Sequence, residues 1–466
     1  MSSDESPEEF ADLAAMLAAA QAANARPAVD LEAAAARRRR RKRRGIVGGA
    51  VSFIAVAAAG AYVTATLLAP LPATAGVVDE FVAPTGVAVE LALPEVGASA
   101  VSVTGAPDFA GTVGVDGILA SRGGDEARPI ASISKIITTL VILEAKPLGP
   151  TDAGPTITFS KADNDLYDKY YVMGATIQHM KIGSTMSQRD ALELMLVASA
   201  SNYAEAVSTW AFGSQANFRA AATSWLAAKG LTGTTIVEPT GIDPRNTSTP
   251  TDLIALGRLA LADPVVAALV QLQNTDVPGF TGIPNNNTLL GTEGINGIKT
   301  GTLDEAGACL LFSAIANVGS TTPITIVGVV LGASDHYYGG LTAQAIIHSI
   351  TRGFHTVPLL TIRDTLGTYS TPWGDEARIV PAQSAGLLTW SDAPITSTMT
   401  VSDVTQAKDG TKVGSITFTA ENRTVTVPLV LDGSITAPDA WWRITHPQEL
   451  FGARVGNVPP IIRGSL

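Results

Sequence analysis

Ser132-Ile133-Ser134-Lys135 sets a hydroxyl and an amine three residues apart, so if Ser132 opens a helix the two side chains share one face. A serine hydroxyl is a weak nucleophile until a neighbouring base takes its proton. Lys135 is the base within reach, and the chemistry is acyl transfer. A helix start would assist, because its partial positive charge steadies a developing oxyanion and favours the neutral form of a nearby amine. The pattern also occurs in ordinary helix caps, so it gains weight only in company. Lys299-Thr300-Gly301-Thr302 leads into an apolar run. On a strand edge, Lys299 and the Thr300 hydroxyl can hold a carboxylate while Gly301 admits an extended peptide close to the backbone. Between the two lies Ser199-Ala200-Ser201-Asn202 inside a helical pattern, which reads equally as polar residues at a helix boundary.

In their order and spacing these segments resemble the D-alanyl-D-alanine carboxypeptidases, the low-molecular-mass penicillin-binding proteins, and especially their actinobacterial members. The likeness extends to Arg128-Pro-Ile-Ala-Ser-Ile-Ser-Lys135, Glu238-Pro-Thr-Gly-Ile242, Ser248-Thr-Pro-Thr-Asp-Leu253, and Gly297-Ile-Lys-Thr-Gly-Thr302 followed by Ala306-Gly-Ala-Cys309. The resemblance implies Ser132 as the acylated nucleophile, Lys135 as its base, and Ser199 as a relay toward the leaving D-alanine. It implies Lys299 and Thr300 on the substrate's terminal carboxylate, Gly301 beside the peptide, and the backbone N–H groups of Ser132 and Thr302 as the oxyanion hole. It further implies a peptidoglycan stem peptide ending in D-Ala-D-Ala as substrate, β-lactams as covalent inhibitors, and no metal or other cofactor.

One position departs from the pattern. The family reads serine–x–asparagine where this chain has Ser199-Ala200-Ser201, with Asn202 one place late. Either Ser201 fills the asparagine's role or a helix irregularity presents Asn202. That departure motivates a second reading, a low-turnover penicillin-binding scaffold or regulator of the cell wall. A third, a β-lactamase deacylating through Glu238, ranks lower because Glu238 sits in a turn that the carboxypeptidases share.

The elements that must hold these groups are legible in outline. Helical patterns cover Ile130 to Leu143, Gln188 to Phe212, Asn217 to Lys229 (stopped at Gly230), Thr251 to Ala262 and Thr342 to Phe354. Strand-like runs cover Gly111 to Leu119, Gly297 to Thr302, Ala308 to Ala316 and Ile324 to Leu331. Strands at both ends with helices between them predict an α+β fold, and the resemblance makes it a penicillin-binding, β-lactamase-like transpeptidase domain over 99–357: an antiparallel sheet with helices and a helical subdomain. After residue 358 short β segments dominate, including Thr411 to Ala420 and Thr424 to Leu431, which predicts a small all-β domain to 445 and a tail over 446–466.

The chain has 466 residues, 46% hydrophobic and 16% charged, which excludes wholesale disorder. Cys309 is the only cysteine, so an intramolecular disulfide is impossible; its place in a strand suits a small buried residue. His179, His336, His348, His355 and His446 lack close metal-ligand spacing and read as surface or structural residues. Residues 1–44 hold nine Lys/Arg against seven Asp/Glu, and the remainder 22 against 35. An acidic body argues against a nucleic-acid partner.

The basic run Arg37 to Arg44 abuts an uncharged stretch, Gly45 to Leu68, which as a helix is roughly 36 Å long and spans a bilayer core. Positive charge stays inside, so 1–44 is expected as a cytoplasmic tail, largely disordered, and everything beyond Leu68 as extracytoplasmic. A removed signal peptide cut near Ala73-Thr74-Ala75 is the alternative; the long leading segment and long uncharged stretch favour a retained anchor. Ser6-Pro7-Glu8-Glu9 reads as a helix start, with Phe10, Leu13 and Leu17 on one face: a short Ala-rich helix, or a docking helix for a cytosolic partner. Residues 69–98, with Pro70, Pro72, Pro84 and Pro94, are expected as an extended tether. Trp441-Trp442 reads as packing for the β domain, or as a glycan platform.

Overall fold

The computed structural model describes residues 8–24, 27–109 and 117–451. A helix over Glu8–Asn24 is followed by α1, Pro27–Leu68, about 63 Å long at 1.5 Å per residue. The short Ala-rich helix expected to start near Glu8 is present over 8–24, and 27–44, expected as part of a largely disordered tail, is helical as well. Alanine and arginine are strong helix formers, and their preference outweighs the few tenths of a kcal/mol of repulsion between neighbouring arginines. Leu13, Met16 and Leu17 are exposed; Ser6, Pro7 and the side chain of Phe10 lie outside the described residues.

The segment expected as a tether is extended but docked along its length. Thr74 bridges to Val404, and Val77–Val78 pairs antiparallel with Gly367 and Thr368. The Phe81 ring meets Phe418 edge-on at 5.6 Å. Val87 N donates to His355 Nε2, and Val89 N donates to Ser391 Oγ. Val89, Leu91 and Leu93 pack onto the domain core. The cause is composition: apolar residues recur between the prolines, and each gains by leaving water at about 25 cal/mol per Å².

The first domain is built on an antiparallel sheet of β1 (Ala98–Thr104), β2 (Ala120–Arg122), β3 (Ile295–Leu303), β4 (Gly307–Ala316) and β5 (Ile324–Ala333), in the order β3-β4-β5-β1-β2. Alternation assigns its two faces. Ala98, Ala100, Ile298, Cys309, Leu311, Val327 and Val329 join the core of the helical subdomain. That subdomain holds α2 (Ser134–Ala145), α3 (Gln188–Val197), α4 (Ser201–Phe212) and α5 (Pro250–Ala262). Val101, Val103, Leu310, Phe312 and Ala314 face α6 (His336–Gly353) through Ala343, Ile346, Ile347 and Ile350. Helix α6 begins six residues before the apolar pattern at Thr342, because Asp335 caps it by accepting from Tyr338 N. Most of the strand expected over 111–119 lies outside the described residues. Strand β3 is one edge of the sheet, with its outer side unpaired by any strand among the described residues.

The change of character near residue 358 falls inside a strand, Phe354–Leu360, which pairs with Ala385–Trp390. Phe354 and Trp390 belong to the first domain's core, whereas Val357 and Leu359 belong to that of the second. The second domain carries a six-stranded sheet whose outermost strand is Val77–Val78. Trp442 packs as expected against the β domain, its ring meeting Trp373 edge-on at 5.5 Å, whereas Trp441 is exposed. Both lie on a short helix, Ala440–Thr445, against the end of α1. There Tyr62 donates to Ile444 O at 2.7 Å, and Arg443 caps the carbonyls of Leu67 and Ala69 at 2.9 and 3.0 Å. The expected tail beyond Phe451 lies outside the described residues.

Candidate active site

Ser132 sits in a single 3₁₀ turn, Ala131–Ile133, that runs into α2. In 3₁₀ geometry residues three apart eclipse one another, which brings Lys135 Nζ to 2.9 Å from Ser132 Oγ. The turn is entered through Ala131 at φ +46°, a left-handed conformation that costs an L-residue about 1–2 kcal/mol and that only close surroundings sustain. Those surroundings are two glycines. A β-carbon on Gly241 would lie 1.8 Å from Ala131 O, and one on Gly301 would lie 2.9 Å from Ser132 N.

The loop from Glu238 to Ile242 is a positioning element. Glu238 accepts from Thr240 N at 2.8 Å, Gly241 N at 2.6 Å and Asn246 Nδ2 at 3.0 Å. Its carboxylate is therefore committed to the loop's own donors and is not among the groups lining the cleft at Ser132. In return, Thr240 O accepts from Lys135 Nζ at 2.7 Å, aiming the amine at Ser132. Lys135 is fully buried. Burial draws its pKa down to about 7, against the opposing pull of the Glu238 charge, so near neutrality a large share of the amine can take a proton.

Lys299, on β3, is buried as well, and burial together with the Lys135 charge holds its pKa well below the usual lysine value. Thr300, Gly301 and Thr302 of the same strand line an open cleft of about 510 Å³ with Ser132, Ser199, Ser201, Gly241 and Ile242. Two amines, a nucleophile and a free strand edge thus meet in one place.

The helix expected over 188–212 is broken at the cleft. Ser199 adopts φ +58° between α3 and α4, and Ser201 N donates to Thr176 O at 2.8 Å. Ser199 and Ser201 face the cleft; Asn202 does not. Its amide is fully buried and clips Gln178, accepting from Gln178 N at 3.1 Å and donating to Gln178 O at 2.7 Å. Of the two alternatives left by the sequence, the geometry favours Ser201, and the placing of Asn202 in substrate contact is corrected. The irregularity at Ser199 exists, but it turns Asn202 inward.

Asn286 and His336 are among the cleft residues that were not foreseen, with Met173 to Thr176 and Leu303 to Glu305. Asn286 is exposed at the cleft and its backbone N donates to Val197 O, beside the Ser199 turn; three consecutive asparagines gave no signal beyond a loop. His336, read as a surface or structural residue, lines the cleft with Nε2 2.6 Å from Thr302 Oγ1.

The sequence profile of the D-alanyl-D-alanine carboxypeptidase family, peptidase S11, matches residues 114–335. The D-alanyl-D-alanine endopeptidase of Pseudomonas aeruginosa is 32% identical over 230 residues, 47% of this chain and 68% of that protein. The protein of the same name from Escherichia coli is 28% identical over 210 residues, 43% of this chain and 64% of that one. Among solved structures, a peptidoglycan synthesis regulatory factor (PBP3) from Streptococcus pneumoniae superposes with a TM-score of 0.50 at 19% identity, covering 74% of this chain and 100% of that one. The fold is that of the penicillin-binding proteins, and with its serine–lysine pair, its second lysine on the sheet edge and this breadth of similarity, the chain belongs to the D-alanyl-D-alanine carboxypeptidase family, peptidase S11.

Proposed function

We propose that this protein is a membrane-anchored serine D,D-carboxypeptidase that removes the terminal D-alanine from peptidoglycan stem peptides. The observation that carries the reading is the 2.9 Å contact between Ser132 Oγ and a buried lysine amine with its pKa near 7. Lys135 accepts the hydroxyl proton as Ser132 Oγ attacks the peptide carbonyl, forming a tetrahedral intermediate. The backbone N–H groups of Ser132 and Thr302 hold the oxyanion. Lys299 and Thr300 grip the substrate's terminal carboxylate. Ser199 passes a proton to the leaving amine, D-alanine departs, and water then cleaves the acyl-serine ester. β-Lactams acylate the same hydroxyl.

Helix α1 contains an apolar stretch, within Ala33–Leu68, long enough to cross a bilayer, and the arginines on its N-terminal side keep that end in the cytoplasm. The site would then stand outside, next to its substrate. The relatives named as endopeptidases support a second activity in the same cleft, cleavage of D,D cross-links, since a cross-linking D-centre also leaves a free carboxylate beside the scissile bond. The test is D-alanine release from a stem pentapeptide by the full chain in detergent, against cross-linked dimer cleavage by the same preparation. Release in wild type and none in Ser132→Ala is expected; no release from either substrate refutes the reading.

A further inference from the structure

His336 opens α6 at the rim of the cleft, and its Nε2 lies 2.6 Å from the hydroxyl of Thr302, two residues beyond the Thr300 assigned to the substrate carboxylate. The same ring lines the small cavity behind Thr300. We propose that His336 is a specificity residue whose imidazolium form strengthens binding of a free C-terminal carboxylate, so that the preference for such peptides rises as pH falls.

The neutral ring has one donor and one acceptor nitrogen. With Nε2 accepting, the Thr302 hydroxyl commits its proton to the ring. Once the ring is protonated, Nε2–H donates to Thr302 Oγ1 and the hydroxyl proton is released toward the cleft. One protonation thus frees a hydrogen-bond donor and adds a positive charge beside Lys299. The charged groups facing the ring are Lys299 on β3, Asp335 at the cap of α6, and Asp304 and Glu305, which line the cleft in the turn after β3. Burial and the Lys299 charge hold the imidazole below its usual range, with Asp335 opposing, so the free site is mainly neutral at pH 7. A carboxylate in the cleft favours the charged ring, and by linkage its binding takes up a proton.

The inference rests on the peptidase reading and deepens it. Acylation itself needs neutral Lys135 and moves the opposite way with pH, so the test is a ratio in which that requirement cancels: kcat/KM for a blocked tripeptide ending in D-Ala-D-Ala over kcat/KM for its C-terminal amide, measured on the full chain in detergent. In wild type the ratio should rise about tenfold from pH 8 to pH 5, the worth of one added charge near the ligand. His336→Gln, which keeps a hydrogen-bonding partner for Thr302, should lose the part of that rise owed to the ring and keep only what Lys299 contributes, and His336→Arg should hold the ratio above wild type at pH 8. A flat wild-type ratio, or a His336→Gln profile matching wild type, overturns the inference while leaving the peptidase reading intact. Failure of wild type to cleave either peptide overturns both.

Discussion

Gly301→Ala probes the contact that places the nucleophile against the substrate strand. A β-carbon at this position meets Ser132 N at 2.9 Å, Ala131 Cβ at 3.0 Å and Ile130 O at 3.2 Å. None of these is the far end of a flexible side chain. They belong to the turn that already holds Ala131 at positive φ, so either β3 or the turn must withdraw by several tenths of an ångström. Overpacking of this kind costs about 1–3 kcal/mol of stability, and a displacement approaching 1 Å of a reacting group costs about 10²-fold in rate. The expected result is a lower melting temperature and a second-order acylation rate by fluorescent penicillin reduced about ten- to a hundredfold. Gly48→Ala in α1 is the control, since its added methyl would meet nothing within 4 Å, and it should leave acylation unchanged. Acylation of Gly301→Ala within about twofold of wild type would refute the reasoning that strand and turn are locked together.

Three other outcomes follow from the same geometry. With Lys135 drawn down to about 7, the neutral base fraction is about a tenth at pH 6 and about nine tenths at pH 8, so the acylation rate of an uncharged β-lactam ester should rise about tenfold across that range; a limb centred near the ordinary lysine pKa would contradict this. Asn202→Ala removes two buried hydrogen bonds to Gln178 and should destabilise the fold by about 1–3 kcal/mol while acylation of the folded protein stays near wild type, as urea titration paired with penicillin labelling would report. Arg443→Ala uncaps the carbonyls of Leu67 and Ala69 and should speed amide exchange at the end of α1 and in the adjoining linker, leaving β3 as protected as before.

The parts of the fold legible from sequence are those dictated by local pattern. The apolar runs of β3, β4 and β5 alternate and form strands, and Ser132 lies in the turn that opens α2, because period and capping act within a few residues. What was missed depends on distant partners. The break at Ser199 is legible only as one alternative, polar residues at a helix boundary, since its left-handed backbone is held by packing and by Ser201 N reaching Thr176 O. Asn202 has the right chemistry for the cleft, yet its amide is taken up by Gln178. His336 reads as an unremarkable polar residue until sheet and helix bring it to Thr302, 34 positions earlier. The prolines of 69–98 suit extended chain, but whether extended chain floats or docks is decided by the surfaces that receive Phe81, Val89 and Leu91.

The central claim is that Ser132, primed by Lys135 and facing β3, is the acylated residue. Mass spectrometry of the peptide bearing residue 132, after incubation of the full chain with benzylpenicillin at about pH 8, where Lys135 is mostly neutral, tests it most directly. The account predicts one penicilloyl adduct on Ser132 in wild type and none anywhere in Ser132→Ala. An unmodified wild-type peptide, or an adduct that persists in Ser132→Ala, would contradict it.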